Sequence, residues 1–142
     1  GLLVGGTIFN FTGGKLSDKS LEAYGEMLKA EETINKIVDY LKNLEKLSRE
    51  YKASLTMVND IYNEKFSLLK QTVESGKTDW NDFTEKERVV TENTVLLVGL
   101  LYKMCKVNLV NKAEKEDEIN TINEVAVKES INSSEKVLAT LQ

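Results

Sequence analysis

Apolar residues recur along the middle of this chain at a helical interval. Met27, Ala30, Ile34, Ile37, Leu41, Leu44, Leu47, Tyr51, Leu55, Val58, Tyr62, Phe66, Leu69 and Val73 make thirteen steps across 46 residues. The mean step is about 3.5, the spacing of a helix seam that packs along another helix. Neither glycine nor proline occurs between Glu26 and Ser75, and the whole chain lacks proline. No residue in that stretch is therefore forced to give up a helical hydrogen bond.

The ends of this stretch carry start and stop signals. Ser17 suits an N-cap, Asp18 follows where the helix dipole favours an anion, and Leu16 and Leu21 stand at staple positions. Gly76 can take the left-handed conformation that closes a helix. Residues 76–83, Gly-Lys-Thr-Asp-Trp-Asn-Asp-Phe, read as a turn. Thr84-Glu85-Lys86-Glu87 matches a capping box, with Asp82-x-x-Glu85 as a rival two residues earlier. Trp80 and Phe83 are expected to pack over the end of a helix bundle, with a partner-binding tip as the alternative.

A second helical stretch follows with Val90, Leu97, Leu101 and Met104, then Ile119, Ile122, Ala126, Val137 and Leu141. The apolar seam thins out at 111–118, where charged residues crowd together. The lack of glycine and proline there favours a continuous or bent helix over a break. Arms 17–75 and 84–142 each count 59 residues. The expected fold is thus all-α: a long antiparallel helical hairpin or a four-helix bundle with coiled-coil-like packing. Residues 1–16 form a short non-helical arm, and 17–142 one helical domain. An extended arm would reach roughly 90 Å at 1.5 Å per residue. Two such arms alone would leave much apolar surface, so dimerisation or folding back is expected.

Composition narrows the chemistry more than it names it. Of 142 residues, 41% are hydrophobic and 30% charged, an ordinary balance with enough apolar material for a core. Residues 16–75 carry 9 basic and 11 acidic side chains, and residues 84–142 carry 8 and 10. Neither arm is basic, which argues against a nucleic-acid partner. Histidine is absent, which removes the commonest general base near neutral pH and the commonest metal ligand. The acids Glu31-Glu32 and Glu114 through Glu118 lack the histidines that a helical di-metal site uses, and read as solvated faces. The lone Cys105 forms no internal disulfide and no thiolate zinc site. It reads as a small core hydrophobe without a base partner, and leans weakly to a cytoplasmic setting or the cytoplasmic face of a membrane.

Gly13-Gly14-Lys15 is no phosphate loop, because Phe9 and Leu16 occupy places where that motif needs glycine and Ser/Thr. Asn10-Phe11-Thr12 and Asn132-Ser133-Ser134 match the glycosylation triplet, a pattern common by chance. The glycine-rich opening, Gly1 to Gly14, reads as a flexible or locally packed arm, or else as the tail of a signal or membrane segment. Val95-Leu96-Leu97-Val98-Gly99-Leu100-Leu101 is apolar on every side of a helix. That implies burial in a bundle or dimer centre, or insertion into a partner or membrane. It is too short to span a bilayer.

These residues predict a non-enzymatic helical interaction or scaffold module that uses no metal or cofactor. It self-associates, as a homo-oligomer or with a helical protein partner. Leu41, Leu44, Leu97, Leu100 and Leu101 are the candidate contact residues. The alternative is a membrane-associated protein using the N-terminal arm and Val95–Tyr102.

Overall fold

The computed structural model describes residues 16–115 and 118–141. Residues 1–15 of the expected N-terminal arm, with Gly13-Gly14-Lys15 and the first glycosylation triplet, lie outside the described residues, while Leu16, expected in that arm, opens the first helix. The chain divides into two compact units, Gly1–Asp39 and Tyr40–Gln142. It is all-α, with three α-helices among the described residues: α1 (Leu16–Glu74), α2 (Glu85–Met104) and α3 (Glu124–Leu138). The described part of the first unit consists of α1 residues alone.

The 3.5-residue apolar interval becomes one continuous helix, as the absence of glycine and proline after Glu26 implies. Helix α1 begins at Leu16, so Ser17 already lies within the first turn. It passes unbroken through 48–52, and Gly76 closes it with a positive φ of 93°. The Gly76 N–H donates to the Val73 carbonyl at 3.0 Å. This is the left-handed backbone that costs a residue with a side chain most.

The turn is held by a small polar network. Thr84 and Glu87 form the reciprocal capping box, so the rival cap at Asp82 is not used. The Lys77 ammonium donates to both Glu87 carboxylate oxygens, at 2.7 and 2.8 Å. Lys77 and the Thr84 N–H together hold the Glu87 carboxyl down at about 2. Trp80 and Phe83 pair with each other, ring centroids 5.7 Å apart, and the Arg88 guanidinium lies 5.6 Å over Trp80. Trp80 is exposed and neither ring joins the core cluster. The expected lid over the bundle is instead a side cluster on the turn.

The second arm departs from expectation. It is not one helix of 59 residues: α2 ends at Met104, and a short antiparallel pair precedes α3. Strand β1 (Val110–Asn111) pairs with β2 (Thr121–Ile122), Val110 opposite Ile122 and Asn111 opposite Thr121. The cause is legible in side-chain type. Val107-Asn108-Leu109-Val110-Asn111 combines β-branched residues and asparagines, all poor helix formers. Apolar residues of this loop pack inward: Val107, Leu109 and Ile122 lie against the core. Asn123 stitches the loop to α3, its N–H donating to the Leu109 carbonyl and its amide to the Asn108 carbonyl.

In the second unit the core draws on all three helices: Leu47, Tyr51 and Val58 from α1, Leu97, Leu100 and Met104 from α2, Val127 from α3. Hydrogen bonds fix their order. The Tyr51 hydroxyl donates to the Met104 carbonyl at 2.7 Å, and Ser130 Oγ lies 3.0 Å from it. Met104 closes α2, where carbonyls have no intrahelical partner, and its carbonyl accepts from both the Val107 N–H and the Tyr51 hydroxyl. Ser54 Oγ meets Ser134 Oγ at 2.9 Å, while Ser134 donates to the Ile131 carbonyl. Since Ser134's proton is engaged there, Ser54 is the donor of the pair. Residues 51 and 54 of α1 thus meet 130 and 134 of α3, so those helices run parallel. Helix α2 runs the other way.

Candidate interaction surface

Helix α1 carries a single heptad register from end to end. With Ser20 assigned to position a, the a row continues through Met27, Ile34, Leu41, Ser48, Leu55, Tyr62 and Leu69. The d row runs through Ala23, Ala30, Ile37, Leu44, Tyr51, Val58, Lys65 and Thr72. Such a seam is the surface that another helix seam covers. From Tyr51 onward α2 and α3 cover it: Tyr51, Val58 and Thr72 are buried, and Leu55, Tyr62 and Leu69 half-buried.

Towards the N-terminus the same register has no cover among the described residues. Met27, Ile34 and Leu41 are 54%, 57% and 53% exposed. Ile37 and Leu44 are half-buried, and Ala30 is exposed. Tyr24 and Val38, both exposed, stand at position e and widen the stripe on one edge. On the opposite side the helix is solvated, with the exposed ion pair Glu32–Lys36 at 2.7 Å, and a second exposed pair, Glu45–Arg49 at 2.7 Å, starts from position e. The Lys36 ammonium draws the Glu32 carboxyl below its ordinary value. Pairs this exposed add little stability and mark the water-facing side.

The five candidate contact residues therefore separate into two groups. Leu97 and Leu100 are buried in the chain's own core, and Leu101 packs against it half-buried. Leu41 and Leu44 lie on the α1 seam, the first of them largely exposed. Met27 and Ile34 belong beside Leu41, and the signal for them was the unbroken a row.

Helix α2 has its own exposed apolar side. The segment Val95–Tyr102 is divided between Leu97 and Leu100 inside and Val95, Leu96, Val98 and Tyr102 outside. Lys106 lies 4.2 Å over the Tyr102 ring, and Cys105 beside it is exposed rather than a core hydrophobe. No described helix is long and apolar enough to cross a membrane.

Among the described residues, no three His, Cys, Asp or Glu side chains group so as to hold a metal ion. A cavity of about 260 Å³ is lined by Asn43, Lys46, Leu47, Glu50, Ile122, Glu124 and Lys128. Its charges answer one another. Lys128 pairs with Glu124 and lowers that carboxyl, with help from Lys46, while Glu124 and Glu50 raise the Lys128 ammonium. Two lysines facing two glutamates leave the lining with no net charge. Comparison with family models, curated proteins and solved structures finds no match to this chain.

Proposed function

We propose that this chain is a non-enzymatic helical interaction module that self-associates through the N-terminal half of the α1 seam. The observation behind this reading is the change along one register. The seam is covered from Tyr51 onward, yet Met27, Ile34 and Leu41 stand more than half exposed. Coiled-coil-like packing, which the 3.5-residue interval suggested, then forms between chains over residues 23–44. That seam is three heptads long, the length at which an apolar a/d pattern favours a coiled coil.

The gain is moderate. A large apolar side chain contributes about 1.5–3 kcal/mol when fully buried, and these residues are already partly covered by their own helix. Association itself costs about 4–15 kcal/mol. Light scattering on a sizing column, run over the micromolar range, tests the reading. A rise from monomer to dimer mass is expected, and a monomer throughout overturns it.

A second reading rests on a separate observation, the exposed row Val95, Leu96, Val98 and Tyr102 beside Lys103 and Lys106. An apolar strip with lysines at its edge suits peripheral contact with an anionic lipid surface. Flotation with anionic vesicles tests it, and protein that stays at the bottom of the gradient rejects it.

A further inference from the structure

We infer that the outer side of α2 is a self-contact surface of its own, on which two copies pair antiparallel about Gly99. The surface lies wholly within the second compact unit and does not depend on the α1 seam. Glu92, Val95, Gly99, Tyr102 and Lys106 follow one another along α2 and its end at steps of three or four residues, so they share one face. All five are exposed, on the side turned away from the buried Leu97 and Met104.

Two observations point to a second copy as the occupant. The first is the glycine. Glycine inside a helix is less stable than alanine, and nothing within the chain requires it at position 99, where a Cβ would meet no atom within 4 Å. The bare backbone lets a second helix approach closely at the middle of the apolar strip. The second observation is the placement of charge. Glu92 stands seven residues before Gly99 and Lys106 seven after, about two helical turns each way. Antiparallel pairing about a two-fold axis at Gly99 sets residue 92 beside residue 106 of the second copy, at both ends of the contact.

Each end then joins a carboxylate to an ammonium. Among the described residues neither Glu92 nor Lys106 has an ion-pair partner of its own; Lys106 rests on the Tyr102 ring. Between the ends, Leu96 of one copy meets Tyr102 of the other, and Val95 meets the aliphatic stem of Lys103. Parallel pairing would instead set Glu92 on Glu92 and Lys106 on Lys106, like-charge contacts that oppose association. An anionic lipid surface, the other occupant open to this strip, would repel Glu92, which an antiparallel copy uses.

One short helix face buries little area, so the pairing is weak. The test therefore uses sedimentation equilibrium at about 1 mM, above the range that reads the α1 seam. The full chain carries Ile34→Asp, which removes the α1 contact proposed above, and circular dichroism checks that each variant stays helical. A dimer is expected in this background. Lys106→Glu alone and Glu92→Lys alone each bring like charges together at both ends, and each should weaken the dimer about tenfold. The double exchange restores opposite charges and should return the dissociation constant to within about threefold of the parent. Gly99→Leu should abolish the dimer while keeping or raising helicity.

A monomer in the Ile34→Asp background overturns the α2 contact and leaves the α1 seam standing. A dimer that neither the charge exchanges nor Gly99→Leu alters also overturns it, because the contact then lies elsewhere. A dimer weakened by both single exchanges and not restored by the double one overturns the antiparallel register. Flotation with vesicles of phosphatidylserine and phosphatidylcholine covers the other occupant. Vesicle binding that Glu92→Lys strengthens, by a chain that stays monomeric in solution, assigns the face to lipid and overturns the second copy.

Discussion

The two halves of the α1 seam share a register and differ in fate. Between Tyr51 and Thr72 its a and d positions are buried or half-buried. Between Met27 and Leu41 every a position is more than half exposed. Identical spacing has thus produced core in one half and surface in the other. A heptad pattern states that a helix needs a partner seam; it does not state which chain supplies it. Helices α2 and α3 supply it for the second half.

The same chemical change in each half separates these roles most sharply. Val58→Asp puts a carboxylate at a position with no solvent exposure, and a charge buried without a partner is among the largest destabilising changes known. The second unit is expected to lose cooperative unfolding, read by thermal circular dichroism; a folded, cooperative Val58→Asp protein would contradict the core described above. Ile34→Asp, on the exposed half, should leave helicity and thermal unfolding of dilute protein nearly unchanged. Its effect should appear in mass, as loss of the dimer in light scattering. If the dimer persists, residues 27–44 are not where it forms.

Smaller effects probe how the covered half is held. Tyr51→Phe keeps the ring and removes the hydroxyl that serves Met104 and Ser130. It should cost about 1–3 kcal/mol in urea unfolding, the range for an unsatisfied buried polar group. The Val107 N–H also donates to the Met104 carbonyl, which places the cost towards the lower end. No loss at all would mean that the hydroxyl is not needed to close α2.

The turn gives the mildest effect, through pH. The Glu87 carboxyl sits at about 2 when folded, against an ordinary value of 4.5, chiefly because Lys77 donates to it. A group with a depressed folded pKa stabilises above its unfolded pKa and loses that contribution as pH falls towards the folded one. Wild type should therefore lead Glu87→Gln in melting temperature near neutrality. That lead should shrink on acidification from about pH 5 towards pH 2. A constant difference across that window would show that the ion pair is not what Glu87 contributes.

Much of the fold was readable because its signals are local. The 3.5-residue interval, the glycine at 76 and the Thr84–Glu87 box each depend on a few neighbouring residues, and each became the element it implied. The break after Met104 was also present in the sequence, but its signal was weaker. Val107-Asn108-Leu109 alternates apolar and polar residues, a strand-like period of two, and Val110, Thr121 and Ile122 are β-branched. The absence of glycine and proline outweighed it, although asparagine and β-branched residues can end a helix without either. Trp80 was harder to place, because a large aromatic beside a turn suits a core lid and a local stack with Arg88 equally well.

The candidate surface divides in the same way. Residues Leu41, Leu44, Leu97, Leu100 and Leu101 look alike as apolar positions on helices. Which of them face another helix of the same chain depends on where α2 and α3 settle along α1. Sequence alone determined the periodicity of α1, its stop at Gly76, the Thr84–Glu87 cap of α2 and the face of α1 that carries the apolar seam, since these follow from backbone geometry and side-chain type over a few residues. Tertiary structure decided that α2 and α3 cover the seam from Tyr51 onward and leave Met27, Ile34 and Leu41 exposed. That outcome depends on contacts between residues 79 and 80 positions apart, whose distance no local pattern encodes.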